Sequence, residues 1–173
     1  MHSSKQSLKF GYKSNFNALL EEKMMFFNVK DVEQFQAQKQ FIDTAIVPLL
    51  SLNFEDNSIK QCSSAAEYLM SLTAFIEQQF KGRLMLIPPF TYIEQMHHQV
   101  DIIVLKETLL KNGFKHVFFV TCDHHWTSLQ DELHIIWLPP IPMESMDKTV
   151  KQKILEDQLK QVIPSLTLAW SKQ

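Results

Sequence analysis

Residues 109–123 hold the feature that most restricts what this chain of 173 residues can fold into. They read as the last turn of a helix, a stop at Asn112 and Gly113, and a strand at residues 116–121 that is apolar on both faces. Glycine just past a helix can take the left-handed conformation that closes the final turn. A strand that is apolar on both faces is typical of a sheet covered on both sides. The stretch therefore predicts an αβ unit in the core of a layered fold.

Helical and strand patterns alternate along the whole chain. Helices are predicted to start at residue 28 and to cover about residues 63–82, 101–112 and 147–163, and strands are predicted at residues 45–50, 83–87, 116–121 and 134–138. This alternation predicts an α/β fold, a small layered sandwich in which a mainly parallel sheet of four to five strands has helices on both faces.

Prolines and serines set the expected limits of these elements. Pro48 is expected to confine the first strand to an edge, an end or a bulge, because proline cannot donate to the ladder. Ser64 and Glu67 fit a capping box for the second helix. Pro164 is expected to end the last helix, so that the tail beyond it adds a strand or simply packs. The strand at residues 134–138 follows its predecessor after about ten residues, which is short for a parallel crossover, and its orientation stays open.

Residues 1–24 differ from the rest of the chain in being polar and rich in lysine and serine. They predict a disordered leader, with residues 25–173 forming a single α/β domain. The codons implied by residues 21–23 resemble a bacterial ribosome-binding site, which favours a natural translation start at Met24 or Met25. The alternative is that the leader forms a short amphipathic arm through its leucines and phenylalanines.

Composition bears on several classes of function. The net charge of −2 gives no electrostatic footprint for nucleic acid, and no apolar run approaches the roughly 20 residues that insert across a membrane. The three glycines, Gly11, Gly82 and Gly113, are too scattered for a phosphate-binding loop or a dinucleotide fingerprint, so no cofactor is predicted. Two cysteines without a framework spacing predict a reducing, cytoplasmic location.

Reactive side chains gather at or near the ends of strands. In open α/β sheets, ligands bind at the carboxyl ends of the strands, so these side chains are expected to meet at one edge of the sheet. The candidate catalytic residues at this edge are Cys122, Asp123, His124, His125 and Cys62.

Zinc and a cysteine nucleophile are the two sharper interpretations of this set. Cysteine, histidine and aspartate are zinc ligands, but no pair has the C-x-x-C or H-x-x-x-H spacing that makes a zinc site specific, and no metal is predicted. A thiol near a helix N-terminus, such as that of Cys62, can be activated. A nucleophile also needs a base within reach, which the sequence does not locate. Whether the protein is an enzyme therefore stays open.

A second set of residues lies in the segments that leave the sheet. Prolines at residues 88 and 89 and at residues 139, 140 and 142 end two strands and stiffen the loops that follow. Trp126 and Trp170 are expected to be exposed, whereas Trp137, inside a strand, is expected in the core. The candidate ligand-binding residues are Tyr92, His97, His98 and Trp126.

Several short runs resemble the YpiF-like family of uncharacterised proteins from Bacillus and related Firmicutes. The runs are Val-Lys-Asp-Val (29–32), Phe-Ile-Asp-Thr-Ala-Ile-Val-Pro-Leu (41–49), Gln-Phe-Lys-Gly-Arg (79–83), Pro-Phe-Thr-Tyr (89–92), Ile-Trp-Leu-Pro (136–139) and Ile-Pro (141–142). The resemblance covers residues 25–163, leaves the leader outside and supports a start at Met25. It implies a single-domain cytosolic protein and carries no functional residues over, because the family has no assigned activity.

Two functions of different classes are compatible with these observations. The preferred prediction is a non-catalytic binding or accessory domain that holds a partner protein or a small ligand at the strand carboxyl edge. An exposed apolar patch around Trp126 or Trp170 would favour it. The alternative is a small hydrolase or transferase that uses Cys122, Asp123 and a histidine at that edge, with or without zinc.

Overall fold

The structure is a computed structural model that describes residues 25, 27–94, 96 and 99–172. The predictions for the leader and for His97 and His98 lie outside the described residues. Within the part of the chain that is described, no helix combines the length and the apolar character needed to cross a membrane. The elements in chain order are α1 (Val29–Ala37), β1 (Thr44–Leu52), α2 (Ile59–Gln79), β2 (Leu84–Leu86), β3 (Phe90–Ile93), α3 (Gln99–Lys111), β4 (His116–Thr121), a 3-10 helix (His124–Leu129), α4 (Gln130–Leu133), β5 (Ile135–Trp137) and α5 (Lys148–Ser171).

Strand β1 lies inside a parallel sheet. It pairs with β4 on one side and with β2 and then β3 on the other, and β5 pairs with the far side of β4. All of these pairings are parallel, which confirms the predicted α/β sandwich and settles the orientation that the sequence leaves open for β5. The link from β4 to β5 is short because it holds the 3-10 helix and the single turn of α4.

Successive residues of β1 and β4 supply the two sides of the core. Val47 and Phe119 face the apolar cluster formed with α1, α3 and the 3-10 helix. Ile46 and Phe118 face the cluster formed with α2 and α5. Because side chains alternate along a strand, burial on both sides requires an almost continuous apolar run. The helices therefore cover both faces of the sheet, as predicted.

Pro48 lies in this internal strand, so the expectation that it confines β1 to an edge, an end or a bulge is wrong. The amide of Thr44 donates to the carbonyl of Arg83 (3.2 Å). The carbonyl of Ile46 accepts from the amide of Ile87 (2.9 Å). Since the backbone groups of successive residues point to alternate sides of a parallel strand, Pro48 faces the same side, at the gap between β2 and β3 where the ladder needs no donor.

The chain rejoins the sheet directly after Pro88 and Pro89. The sequence predicts a loop beyond these prolines, but residues Phe90–Ile93 form β3 and pair with the last residues of β1. The two prolines interrupt the hydrogen bonds without turning the chain away from the sheet. Tyr92 thereby lies opposite Ser51 at the carboxyl edge.

Helix α2 begins at Ile59, ahead of the predicted start at Ser63 or Ser64. The amide of Cys62 already donates to the carbonyl of Ser58 (2.9 Å), so the helical hydrogen bonds begin ahead of the predicted start. The capping box is wrong as well, because the Ser64 hydroxyl lies inside the helix and donates to the carboxylate of Glu144 (3.0 Å). Cys62 therefore belongs to the first turn of α2.

Helix α5 continues through Pro164, so the predicted end of this helix is wrong. Proline in a helix interior removes a backbone hydrogen bond and costs about 3 kcal/mol. Packing beyond the proline offsets that cost, because Leu166 is fully buried and the Trp170 indole donates to Thr44 Oγ1 (2.9 Å). The guanidinium of Arg83 lies 4.2 Å from the centre of the same indole. Trp170 is therefore half-buried, and the expectation that it is exposed is wrong.

Three other helix ends lie where the sequence predicts them. Asn28 accepts from the amide of Asp31 (3.0 Å) at the start of α1. Asp147 accepts from the amide of Val150 (3.0 Å) at the start of α5. Gly113 follows α3 with a φ of +118°, a conformation that glycine adopts without a steric penalty. These signals need only neighbouring residues, which is why the sequence shows them.

Glu77 is a fully buried carboxyl group on α2. Its Oε1 accepts a hydrogen bond from the backbone nitrogen of Met25 (3.0 Å), whereas its Oε2 has no hydrogen-bond partner among the residues described. Burial raises the pKa of Glu77 to about 7, against the opposing effects of the Met25 hydrogen bond and the charge of Lys81.

We expect Glu77→Gln in the 173-residue chain to remove a pH-dependent loss of stability. The folded-state pKa of about 7 lies above the ordinary value of 4.5, so the stabilisation is fully present below about pH 4.5 and is lost as the pH rises through 7. The free energy of unfolding of the unaltered chain should fall by roughly 3 kcal/mol over that interval, as measured by urea denaturation, and that of the variant should stay nearly level.

The exposed Glu67→Gln on the same helix is the matched control and should keep the full decline. If the free energy of unfolding depends on pH in the same way in Glu77→Gln and in the unaltered chain, the pKa of the buried carboxyl group is not raised in the folded state.

Candidate functional site

The chain leaves β1 and β4 in opposite directions at the carboxyl edge of the sheet. From β1 it passes through α2 to β2, and from β4 it passes through the 3-10 helix and α4 to β5. In open parallel sheets such a divergence leaves a crevice in which ligands bind. The structure has a cleft of about 380 Å³ here, bounded by the end of β1, the first turns of α2 and the segment after β4.

The cleft brings together the candidate catalytic residues. Cys62 reaches it from the first turn of α2, and the four consecutive residues 122–125 reach it from the end of β4. The convergence follows from the parallel register, which places the carboxyl ends of β1 and β4 side by side. The chemical roles of these residues stay predictions.

Asp123 accepts hydrogen bonds from two directions. The Tyr92 hydroxyl donates to its Oδ2 at 2.5 Å. Its Oδ1 accepts from the backbone nitrogen of His125 at 3.0 Å and lies 2.8 Å from Nδ1 of the His125 ring. The amide of Asp123 donates in turn to Thr121 Oγ1 (3.0 Å). Asp123 therefore caps the 3-10 helix and holds the imidazole of His125 at the same time.

Asp123 is ionised at neutral pH. Burial disfavours its charged form, but the hydrogen bonds from Tyr92 and His125 outweigh that effect and hold the pKa of Asp123 below its usual range. The side chain of Asp123 is 9% exposed, and that of His125 is 66% exposed. A nearly buried carboxylate thus orients an imidazole that reaches solvent, an arrangement suited to ligand contact or proton transfer.

Trp126 is only 2% exposed, so the expectation that it is exposed is wrong. The 3-10 helix folds back onto the face of the sheet that α3 covers, which carries this residue into the core. Its indole N–H donates to the Tyr92 hydroxyl oxygen at 2.7 Å, and burial raises the pKa of Tyr92, which keeps the proton that it donates to Asp123. Neither Tyr92 nor Trp126 lines the cleft. Both support Asp123 from behind.

His124 and Trp137 lie at the outer side of this edge. His124 is exposed, and its ring meets the Trp137 indole nearly at a right angle with centroids 5.2 Å apart. Trp137 is 37% exposed, so the prediction that it lies in the core is wrong. The reason is its position at the end of β5, the edge strand of the sheet. The indole N–H donates to the carbonyl of Cys122 (3.2 Å).

The two thiols have different surroundings. Cys122 packs against the apolar cluster between the sheet, α2 and α5, and burial raises the pKa of its thiol to about 12. Such a thiol is protonated at neutral pH and is a poor nucleophile. Cys62 donates to the carbonyl of Ser51 (3.2 Å) and accepts from the amide of Asn53 (3.3 Å). Its thiol therefore ties the end of β1 to the start of α2.

Among the described residues, no three histidine, cysteine, aspartate or glutamate side chains come together in a way that could hold a metal ion. Two histidines predicted at the same edge, His97 and His98, lie outside that part of the chain.

Further polar residues line the cleft that the sequence does not single out. Asn53 and Glu94 join the ends of β1 and β3, since the Asn53 amide group donates to Glu94 Oε2 at 2.5 Å. Ser58 and Gln61 lie at the start of α2. The polar residues that follow β1 in the sequence could have indicated Asn53, because residues that follow a strand of a parallel sheet lie at its carboxyl edge. Glu94 has no such signal, because the sequence does not predict β3.

We expect Tyr92→Phe to lower the free energy of unfolding by about 2–3 kcal/mol, because it removes the acceptor of a buried indole N–H and the donor to a nearly buried carboxylate. Urea denaturation at pH 7 measures the change. Tyr68→Phe is the matched control. Its hydroxyl donates to the half-buried Gln158 (3.1 Å), and the loss of this hydrogen bond should cost about 1 kcal/mol. A smaller effect at Tyr92 than at Tyr68 would contradict the supporting role of this residue.

Known proteins match most of this chain. The profile of a family described as "Protein of unknown function (DUF2487)" matches residues 33–170. The "Uncharacterized protein YpiF" of Bacillus subtilis (strain 168) is 29% identical over 148 residues, which are 85% of this chain and 99% of that protein. No solved structure matches the chain significantly. The matches confirm the resemblance that the short runs of sequence indicate.

Proposed function

The chain belongs to the DUF2487 family of proteins of unknown function. We propose that it is a binding domain that holds a small polar molecule in the cleft between β1 and β4. The position of the cleft carries this proposal. It opens where the chain leaves β1 and β4 in opposite directions, which is the place at which open parallel sheets bind ligands. Its volume of about 380 Å³ falls in the range of small-molecule sites.

The charge of the lining restricts the ligand. Two carboxyl groups, of Asp123 and Glu94, and two imidazoles, of His124 and His125, line the cleft, and none of the described lining residues is lysine or arginine. A multiply charged anion would meet the ionised Asp123 without a fixed positive partner. The lining therefore favours an uncharged or positively charged molecule that binds through hydrogen bonds.

A partner protein is the other occupant that the sequence leaves open at this edge. The apolar patch that would favour it is not formed by the expected residues, since Trp126 is buried and Trp170 is half-buried against the other end of the sheet. A concave cleft lined by both apolar and polar side chains suits a small ligand better than it suits a flat protein surface.

We expect pools of amines, amides and sugars to contain a molecule that shifts the backbone amide signals of Ser51, Cys62 and Asp123 in ¹H–¹⁵N spectra. Ala66→Phe should abolish these shifts, because Ala66 lines the cleft and the added ring fills it. Pools of organic phosphates and polycarboxylates should give weaker shifts, since the lining lacks a fixed positive charge.

Ser63→Phe is the matched control, because it places the same ring on an exposed position of the same helix. This variant should bind as the unaltered protein does. Shifts that persist in Ala66→Phe, or that map to residues away from the cleft, would contradict the proposal. So would the absence of any shift with all of the pools at millimolar concentration.

The contact of 2.8 Å between Asp123 and His125 favours a second function, hydrolysis or group transfer. An imidazole oriented by a carboxylate can remove a proton from water as the water attacks an ester carbon, and the alcohol leaves as the acid forms. Water is the nucleophile in this candidate function because burial keeps the Cys122 thiol protonated.

If the cleft is catalytic, His125→Gln should lower the hydrolysis of p-nitrophenyl acetate by roughly 100-fold, the lower limit typical of a general base. Release of p-nitrophenolate measures the rate. His116→Gln is the matched control, since this histidine lies at the amino end of β4 and does not line the cleft, and it should leave most activity in place. Equal losses in the two variants, or a rate no higher than that of free imidazole, would exclude this function.

A cytoplasmic location is part of the same proposal. Cys62 and Cys122 are both free thiols, and free thiols persist in reducing compartments. The net charge of −2 is the reason for proposing no nucleic acid as a partner.

A further inference from the structure

Glu77 is a buried carboxyl group that the cleft does not use. It is 0% exposed and lies on α2 in the turns far from Cys62. One of its oxygens accepts from the backbone nitrogen of Met25 at 3.0 Å. The other oxygen is buried and has no hydrogen-bond partner among the residues described.

A single amide hydrogen does not satisfy a buried carboxylate. Each carboxylate oxygen can accept hydrogen bonds, and a buried charge that lacks a partner of opposite charge is costly. An ammonium group at the position of the Met25 nitrogen would supply a positive charge and three hydrogens where the peptide group supplies one. It would compensate the charge of Glu77 and can donate to both of its oxygens.

Met25 is held in place by its other groups. Its side chain is 4% exposed and packs in the same apolar cluster as Phe35 and Met85. Its carbonyl accepts from the amide of Leu86 (3.2 Å), so the residue lies along β2. The nitrogen of Met25 is therefore fixed against Glu77 by contacts that do not require any residue before it.

We propose that Glu77 is the binding site for the α-ammonium group of a chain whose first residue is Met25. Initiation at the Met25 codon would produce this chain.

Other charges near Glu77 do not replace this partner. Lys81, one turn further along, favours the charged form of Glu77, and Asp31 of α1 opposes it. Neither side chain bonds to Oε2, which is without a partner among the described residues. The ammonium of Met25 would be the positive charge in direct contact with the carboxylate.

The first test uses the complete gene with its natural upstream DNA, extended by a C-terminal affinity tag and expressed in a Bacillus host. Intact-mass measurement and N-terminal sequencing of the purified protein should give Met25 as the first residue. A product whose first residue is Met1 would overturn the proposal, and this result does not depend on whether any variant folds.

The second test follows the amino group itself in that purified protein. With [¹³Cα]methionine, the Met25 Cα signal reports the ionisation of the amino group. Pairing with Glu77 should raise the pKa of this group above its ordinary value of about 7.7–8.0, and Glu77→Gln should lower it again. An ordinary pKa in the unaltered protein would overturn the proposal.

Thermal unfolding at pH 7 distinguishes the two forms of the chain, because Glu77→Gln should change their melting temperatures differently. In protein that begins at Met25, Glu77→Gln removes the partner of a buried ammonium and should lower the melting temperature. In protein that begins at Met1, the same change removes an uncompensated carboxyl group and should not lower it. Glu67→Gln is the matched control in both. A melting temperature that rises in the Met25 form would contradict the ion pair.

Discussion

The parallel pairing of β1 with β4 forms the centre of the sheet and of its two apolar clusters. These strands supply both sides of the core through alternating residues, and every other strand is added to one of them. The chain leaves them in opposite directions, so the sheet has a cleft at their carboxyl ends. Pro48 is compatible with the internal position of β1 because it faces the gap between β2 and β3. Beyond this gap β3 pairs with the end of β1, which brings Tyr92 within hydrogen-bond distance of Asp123 behind the cleft.

Asp123 connects this fold to its candidate function. Support comes from Tyr92 on β3 and from Trp126 behind it, so elements that are distant in sequence fix one carboxylate. On the side of the cleft the carboxylate holds His125. Buried, mutually bonded polar groups of this kind fix a side-chain orientation before any ligand arrives, which reduces the entropy lost on binding. The arrangement serves a binding site and, with water as nucleophile, a catalytic one.

Local physical chemistry made part of this structure predictable from sequence. The cap at Asn28 and the stop at Gly113 depend on neighbouring residues, and the apolar run of β4 depends on burial at both faces. The edge that collects the reactive residues was predictable too, because parallel strands place their carboxyl ends together. Tertiary partners decided the rest. Trp126 is buried by the fold of the 3-10 helix, and α5 passes Pro164 because the packing beyond it offsets the lost hydrogen bond.

The tautomer of His125 reports whether Asp123 organises the cleft. It can be read from the nitrogen shifts of the ¹⁵N-labelled imidazole at a pH where the ring is neutral. We predict that Nδ1 carries the proton, because Nδ1 lies 2.8 Å from a carboxylate oxygen of Asp123 and the hydrogen bond sets the tautomer. In Asp123→Ser, which keeps a helix-capping residue but cannot reach the ring, the proton should move to Nε2. A ring that is protonated on Nε2 in the unaltered protein, or that is unchanged by the substitution, would contradict the role of Asp123 in organising the cleft.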